Sequence, residues 1–226
     1  MKEEWPRLWT WQDETTVLAR ALDRGEMLVI PTESTYGLAV DPLSEIGVAT
    51  VCRFKGRPPG KALPVVLGEV GQLARLGADP MASELTELAA LWPAPLTVVL
   101  ELERPIPASA GRSSLAVRVP AHQRLRSLLR TLDRPLTATS ANLAGQTPVT
   151  ETRMVLQMLS EWPCFVIDDG NLPGGEVSTI VQISGDGYRL LRHGAVAPEW
   201  IRDRVSRPLF SAAPAEIPVD DPSYPL

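Results

Sequence analysis

The sequence predicts an α/β protein, a sheet flanked by helices in one domain. Short apolar runs closed by Gly or Pro recur along the chain, as buried strands do. Segments with apolar residues at three- and four-residue spacing separate them, as amphipathic helices do. The chain's 226 residues, 44% hydrophobic and 22% charged, suffice for one domain with a substantial core.

In chain order, Val17, Leu18, Ala21 and Leu22 form a helical stripe that Gly25 ends. Met27-Leu28-Val29-Ile30 follows as a buried strand stopped by Pro31. Ser44 caps a helix whose apolar face includes Ile46, Val48 and Val51. Residues 63–67 read as a strand that Pro64 pushes to an edge or shortens to the residues after it. Asp79-Pro80 opens a helix with Leu85, Leu88 and Ala89 facing the core, and Trp92-Pro93 ends it. Strands follow at 96–102 and 115–119, then a helix around 125–129 and a strand at 136–139. Thr150 caps a helix reaching Leu159. Strands at 164–167, 177–183 and 188–191 complete the sheet, and Pro198 opens a last short helix. Beyond Val205 the periodicity fades among Pro208, Pro214, Pro218, Pro222 and Pro225. The expected division is a domain over residues 1–204 and a Pro-rich tail over 205–226.

A net charge of −5 argues against a protein that coats nucleic acid nonspecifically, although a local basic pocket is compatible with it. Cys52 and Cys164 are the only cysteines and lack metal-ligand spacing, so neither a disulfide framework nor a structural zinc site is indicated. The N-terminal residues lead into no long apolar stretch, so neither a signal peptide nor a membrane span is read, and a cytoplasmic protein is expected.

Several segments carry chemistry. Lys55-Gly56-Arg57 sets two permanent charges beside a glycine, which suits a polyphosphate; the alternative is a pair of bases answering a helix dipole. Gly60-Lys61 is not a P-loop, because Lys55 stands where that motif needs its first Gly and Ala62 replaces the hydroxyl. The segment 31–37 crowds the hydroxyls of Thr32, Ser34, Thr35 and Tyr36 at the carboxyl end of a strand, where open α/β sheets bind ligands; a polar turn is the alternative. Arg118 interrupts an apolar strand, and either faces the surface or holds a carboxylate in a crevice by a two-point contact. Ser140 and Asn142 project to one side of an extended chain and can orient a small polar ligand, although Asn142 can instead cap its own turn. Gly174-Gly175 precedes Ser178 and Thr179 at a strand start, and Arg192 closes the next strand. A serine nucleophile is poorly supported: there is no G-x-S-x-G, and His122 and His193 are the only histidines.

Taken in order, these elements resemble the YrdC-like family of threonylcarbamoyl-AMP synthases, from about residue 13 to 204. The resemblance rests on PTESTYGL (31–38), KGRPPGKAL (55–63), PAPLT (93–97), SSLAVRVP (113–120), TSANLAG (139–145), STIVQ (178–182) and LRHGAV (191–196). It implies a twisted mixed sheet around a concave basic cleft. The activity it implies is condensation of L-threonine, bicarbonate and ATP into threonylcarbamoyl-AMP, with release of pyrophosphate, for the t6A37 modification of tRNA. It further implies Lys55 and Arg57 as the catalytic pair on the ATP phosphates, supported by Lys61. Ser114, Asn142, Thr150 and Arg192 would surround the nucleotide. Thr32, Arg118, Ser140 and Ser178 would surround threonine, with Tyr36 as a wall. No protein-held metal is implied, since Mg2+ arrives on the ATP phosphates. The implied partners are these small molecules and a downstream threonylcarbamoyl-transferase machinery acting on tRNA, with contact to tRNA itself left open. Val66 departs from the pattern, standing where longer relatives carry a His that contacts the threonine side chain. Gln182 replaces a frequent Asp, and the extra C-terminal domain of the longer form is absent from this sequence.

Such chemistry needs positioning and charge neutralisation rather than a covalent nucleophile, which suits a site rich in Lys, Arg, Ser and Asn. Two other readings are a double-stranded RNA or tRNA-binding module using the basic cleft, and a related enzyme forming a different carbamoyl-adenylate.

Overall fold

The computed structural model describes residues 5–56, 60–143 and 146–211. The α/β class and mixed pairing hold, but the strands divide between two sheets. The first has the order β1-β9-β2-β3-β8, built from Arg7–Trp9 (β1), Met27–Pro31 (β2), Tyr36–Ala39 (β3), Thr139–Ser140 (β8) and Cys164–Ile167 (β9). The second has the order β12-β11-β10-β5-β6-β4-β7. Its strands are Val65–Val66 (β4), Leu96–Glu101 (β5), Ser114–Arg118 (β6), Leu136–Thr137 (β7), Thr179–Ser184 (β10), Gly187–Arg192 (β11) and Leu209–Ser211 (β12). Both sheets mix parallel pairs, such as β2 with β9 and β5 with β10, and antiparallel pairs, such as β2 with β3 and β5 with β6.

The helices are Thr15–Asp23 (α1), Glu45–Lys55 (α2), Ser83–Ala89 (α3), Gln123–Leu132 (α4), Thr152–Met158 (α5) and Pro198–Arg202 (α6). None is long and apolar enough to cross a membrane. Residues of β2 alternate between two cores, which is why the strand is one unbroken apolar run. Met27 and Val29 join the large cluster that also holds Leu96, Val98, Val117 and Val181 of the second sheet. Leu28 and Ile30 pack with Leu18, Ala21 and Leu22 of α1 and Leu125, Leu128, Leu129 and Leu132 of α4. The α4 leucines recur at three- and four-residue spacing, so one face is apolar while its arginines stay outside.

Several expectations require correction. Ile46 is 69% exposed, because the buried stripe of α2 runs through Gly47, Val51, Phe54 and Lys55. Ser44 does cap α2, accepting from the Gly47 amide at 3.1 Å. The Pro64 strand shrinks to Val65–Val66 but lies inside the sheet, between β6 and β7. The Asp79-Pro80 helix start moves to Ser83, since Asp79 Oδ1 accepts from the Met81 amide and closes a turn first. Thr150 does not cap α5; Glu151 holds that position without a side-chain bond. The strand read at 136–139 is two strands: β7 belongs to the second sheet and β8 to the first, so the chain crosses between sheets at Ala138. Strands β1 and β3 were not anticipated. Gly37 and the hydroxyl-rich residues before it obscure β3, where a Cβ on Gly37 would lie 3.4 Å from the Thr139 carbonyl oxygen. Regular pairing also continues past the expected boundary at 204, because β12 runs parallel to β11.

Candidate active site

The crossing between sheets builds a small pocket. Thr32, Ser34, Thr35, Tyr36 and Gly37 enclose it from the β2–β3 hairpin, Ala138 and Ser140 from the crossing, and Arg118, Val177 and Ser178 from the second sheet. Its volume is about 110 Å3, room for a group of a few heavy atoms when a water's share of liquid is about 30 Å3. All five residues expected around the amino acid, Thr32, Tyr36, Arg118, Ser140 and Ser178, line it.

Lys55, the last residue of α2, reaches the crossing from behind. It is 1% exposed, and Gly56 beyond it takes the left-handed conformation that ends the helix, φ 60°. Lys55 Nζ donates to the Ser140 carbonyl at 2.6 Å, the Asn142 carbonyl at 3.1 Å and Asn142 Oδ1 at 2.8 Å. Ser140 Oγ donates to the same Asn142 Oδ1 at 2.6 Å, and Asn142 Nδ2 donates to the Gln146 carbonyl. An ammonium has three protons to donate, and three oxygens of one turn receive them. Lys55 therefore fixes the shape of the Ser140-Ala141-Asn142 turn. Arg57, its expected companion, lies outside the described residues.

Arg118 sits at the carboxyl end of β6 and pairs with Glu33 Oε1. Its neighbour Arg192 donates from Nε and Nη2 to the Ser178 carbonyl at 3.1 and 3.0 Å and from Nη2 to Ser178 Oγ at 3.2 Å. Thr97 Oγ1 shares a 2.8 Å hydrogen bond with Ser178 Oγ. Burial lowers the Arg192 pKa, and the positive charge of Arg118 lowers it further. Two guanidinium groups thus flank Ser178, a field that favours an anionic group in the pocket.

Tyr36 is fully buried and anchors the pocket's back wall. Its hydroxyl lies 2.8 Å from Thr152 Oγ1, donates to the Gly170 carbonyl at 3.0 Å and accepts from the Asp169 amide at 3.1 Å. Burial raises its pKa, so the phenol stays protonated at neutral pH. The Asp169 carboxylate in turn accepts from Trp11 Nε1 at 2.7 Å, His122 Nε2 at 2.9 Å and Arg124 Nη1 at 3.2 Å. Because His122 Nδ1 accepts from the Leu125 amide, the ring proton lies on Nε2. Sequence reasoning missed this support as it missed Glu33; the only signal was a carboxylate among hydroxyls in PTES and the Asp168-Asp169 pair after β9.

The remaining expected residues lie around this centre. Ser114 starts β6 opposite Glu101, on the same face as Arg118 but about 13 Å away along the strand. Thr150 precedes α5, and its carbonyl accepts from the Leu172 amide at 2.8 Å. Lys61 is half-buried in the segment leading to β4. Val66 lies inside the α1/α4 core rather than on the pocket. Gln182 lines a separate cavity of about 630 Å3 with Asp79, Glu84, Glu101 and Arg189 at the other end of β5 and β10.

Residues 20–194 match the Sua5/yciO/yrdC family model, described as "Telomere recombination". The chain is 31% identical over 192 residues to the threonylcarbamoyl-AMP synthase of Pyrococcus abyssi, covering 82% of this chain but 55% of that protein. It is 31% identical over 160 residues to the enzyme of the same name from Idiomarina loihiensis, covering 69% of this chain and 86% of the relative. Among solved structures, P. abyssi Sua5 complexed with L-threonine superposes with a TM-score of 0.79 at 28% identity, covering 91% of this chain and 62% of that one. Escherichia coli YciO shares the fold, with a TM-score of 0.68 at 18% identity over 86% of this chain and 98% of that one. The chain thus spans little more than half of the longer archaeal relative and most of the shorter bacterial one.

Proposed function

The chain belongs to the Sua5/yciO/yrdC family, and from that premise we propose that it is a threonylcarbamoyl-AMP synthase. It condenses L-threonine, bicarbonate and ATP and releases pyrophosphate, as a nucleotidyltransferase. The observation that carries this reading is the gathering of Thr32, Tyr36, Arg118, Ser140 and Ser178 around one small pocket beside two guanidinium groups. A relative named for the activity, solved with L-threonine bound, supports it.

The threonine amine attacks bicarbonate carbon, and loss of water leaves a carbamate. A carbamate oxygen then attacks the α-phosphorus in line while pyrophosphate departs. Arg118 holds the threonine carboxylate by a planar two-point contact, and the hydroxyls of Thr32, Ser140 and Ser178 orient the rest of the molecule. Arg57 and Lys61 neutralise the phosphates, while Ser114, Asn142, Thr150 and Arg192 surround the nucleotide. Lys55 acts through the turn it holds, fixing Ser140 and Asn142 for both substrates. Mg2+ would arrive on the nucleotide's phosphate oxygens and would supply charge neutralisation there. The product is consumed by a transferase machinery that modifies tRNA.

Mass spectrometry of incubations with ATP, L-threonine and bicarbonate tests the reading. Threonylcarbamoyl-AMP should form only when all three are present. Its absence from the complete mixture refutes the assignment, and a different carbamoyl-adenylate redirects it to another substrate.

A further inference from the structure

Ser178 meets the pocket with its hydrogen-bonding sense already set from behind. Arg192 Nη2 donates to Ser178 Oγ at 3.2 Å, and a guanidinium can only donate, so one of the two lone pairs on that oxygen is filled. Thr97 Oγ1, on β5, lies 2.8 Å from the same atom. Distance alone does not say which hydroxyl gives its proton; burial does. Thr97 is 4% exposed, does not line the pocket, and its hydroxyl meets no other acceptor among the described residues. Were Ser178 the donor, the Thr97 proton would be left unmatched inside the protein, a costly arrangement that native structures seldom keep. Thr97 therefore donates, the second lone pair is filled, and the one valence left on Ser178 Oγ is its own proton. Thr97 and Arg192 stand behind the wall and Ser178 lines it, so that proton turns towards the cavity.

We infer that Thr97 is a positioning residue, which presents Ser178 to the pocket as a hydrogen-bond donor for the carboxylate that Arg118 holds. The inference rests on the reading of this pocket as the amino-acid site. It narrows the part of Ser178 there from orienting the molecule at large to binding its carboxylate beside Arg118. Ser140, which also lines the pocket, has the opposite sense. Its Oγ gives its proton to Asn142 Oδ1 at 2.6 Å. The identity of that acceptor is fixed, because Lys55 Nζ donates to the same atom at 2.8 Å. Ser140 therefore offers the pocket lone pairs only. An ammonium can only donate, so Ser140 can take it and Ser178 cannot; a carboxylate can only accept, so the assignment reverses. Charge agrees with this count, since Arg118 lines the pocket and Arg192 binds Ser178 from behind. Thr97 itself touches no substrate atom and acts through Ser178 alone.

Ligand-detected NMR, which reads affinities into the millimolar range, tests this on the full chain with L-threonine and (R)-3-hydroxybutanoate, which keeps the carboxylate and lacks the amine. Thr97→Val keeps the branched shape and removes the hydroxyl. It should weaken both ligands by about threefold or more, because Ser178 loses its restraint and the polarisation of a hydrogen-bond chain. Thr97→Ser restores the donor and should bring both back to within about twofold of wild type. Ser178→Ala should weaken both at least as much as Thr97→Val does, and adding Thr97→Val to it should cost nothing more. A full further loss in the double variant would make Thr97 a general structural residue and overturn the inference. Binding as tight as wild type in Thr97→Val would also overturn it. So would threonine losses that hydroxybutanoate does not share, or wild-type protein that binds threonine alone, since either places Ser178 on the amine. A panel of L-α-amino acids separates the two readings. Another amino acid with the same Thr97 pattern would sink the threonine assignment and sustain the positioning role; binding of no ligand at all would sink both.

Discussion

Lys55 Nζ lies 2.8 Å from Asn142 Oδ1 and 3.1 Å from the Asn142 carbonyl oxygen, although 87 residues separate them in the chain. The contact ties the end of α2 to the point just after the chain passes between sheets. Two segments that stand out separately in the sequence, Lys-Gly-Arg and Ser-Ala-Asn, are therefore halves of one structural unit. The lysine's ammonium donates to three of the protein's own oxygens there, the geometry on which its proposed positioning role rests.

Lys55→Ala should consequently harm both stability and turnover. It strips a charged donor from the Ser140 and Asn142 carbonyls, while Asn142 Oδ1 keeps its bond from Ser140 Oγ, and buried acceptors left unmatched cost about 1–3 kcal/mol each. Partial access of water to the vacated space reduces the sum, so a loss of at least about 2 kcal/mol, or roughly 4–8 °C in melting temperature, is expected for a chain of this size. Calorimetric melting checks it. An unchanged transition with lost activity would instead return Lys55 to direct contact with the phosphates.

Arg118→Lys should raise the Michaelis constant for threonine by tenfold or more and leave that for ATP within about threefold. Charge is retained, but one ammonium cannot hold Glu33 and a carboxylate in the same plane. Steady-state kinetics with each substrate varied in turn decides. Equal effects on both constants would place Arg118 between the substrates.

Tyr36→Phe removes the hydroxyl that Thr152, Gly170 and Asp169 share. The expected loss is about 0.5–1.5 kcal/mol, because the Asp169 amide loses its acceptor while the Gly170 carbonyl keeps its bond from Thr152 Oγ1. Activity measured well below the melting transition should stay within a few-fold, since the hydroxyl points into the wall rather than the pocket. A large fall in turnover without a stability change would contradict that role.

Asp169 couples the wall to pH. Burial opposes its ionisation, but hydrogen bonds from His122, Trp11 and Arg124 together lower its pKa below the usual 3.8. A lowered folded-state pKa contributes stability that is present above the ordinary value and is lost as pH falls through the folded value. Urea midpoints for Asp169→Asn should therefore lie below wild type at pH 7 and converge towards it below about pH 4. Parallel curves over that range would show that Asp169 does not supply the acid sensitivity.

How much could be read beforehand follows from what each element depends on. The α1 and α4 stripes, the β2 run and the Ser44 cap are local patterns, and they stand where the sequence puts them. The five pocket residues were reachable through their motifs. The split of 136–139 was not, because no local signal at Ala138 says that successive residues pair in different sheets. Glu33 was hidden for a similar reason: its meaning depends on Arg118, 85 residues away. The bonds from Lys55 to backbone carbonyls were hidden too, because such burial of a lysine leaves no trace in composition or spacing.

The chain beyond Val205 supplies the last test. Glu87 accepts from the Ser206 amide at 3.0 Å, from Ser206 Oγ, from the Arg207 amide at 3.4 Å and from the Tyr188 hydroxyl at 3.2 Å. Ser206's side-chain bond leads the causes that lower the Glu87 pKa. This clamp delivers the chain to β12, where Leu209 pairs with Tyr188 and is 8% exposed within the main core. An aspartate there would surrender the leucine's burial, about 1.5–3 kcal/mol, and bring a charge against apolar neighbours. Leu209→Asp should therefore lower the melting temperature by roughly 4 °C or more in the otherwise complete chain. Glu87→Ala should move it in the same direction by a smaller amount, because an exposed clamp loses less than a buried side chain. If both variants melt with wild type, the strand is dispensable and the domain boundary at 204 stands. If Leu209→Asp melts early, the boundary lies beyond Ser211.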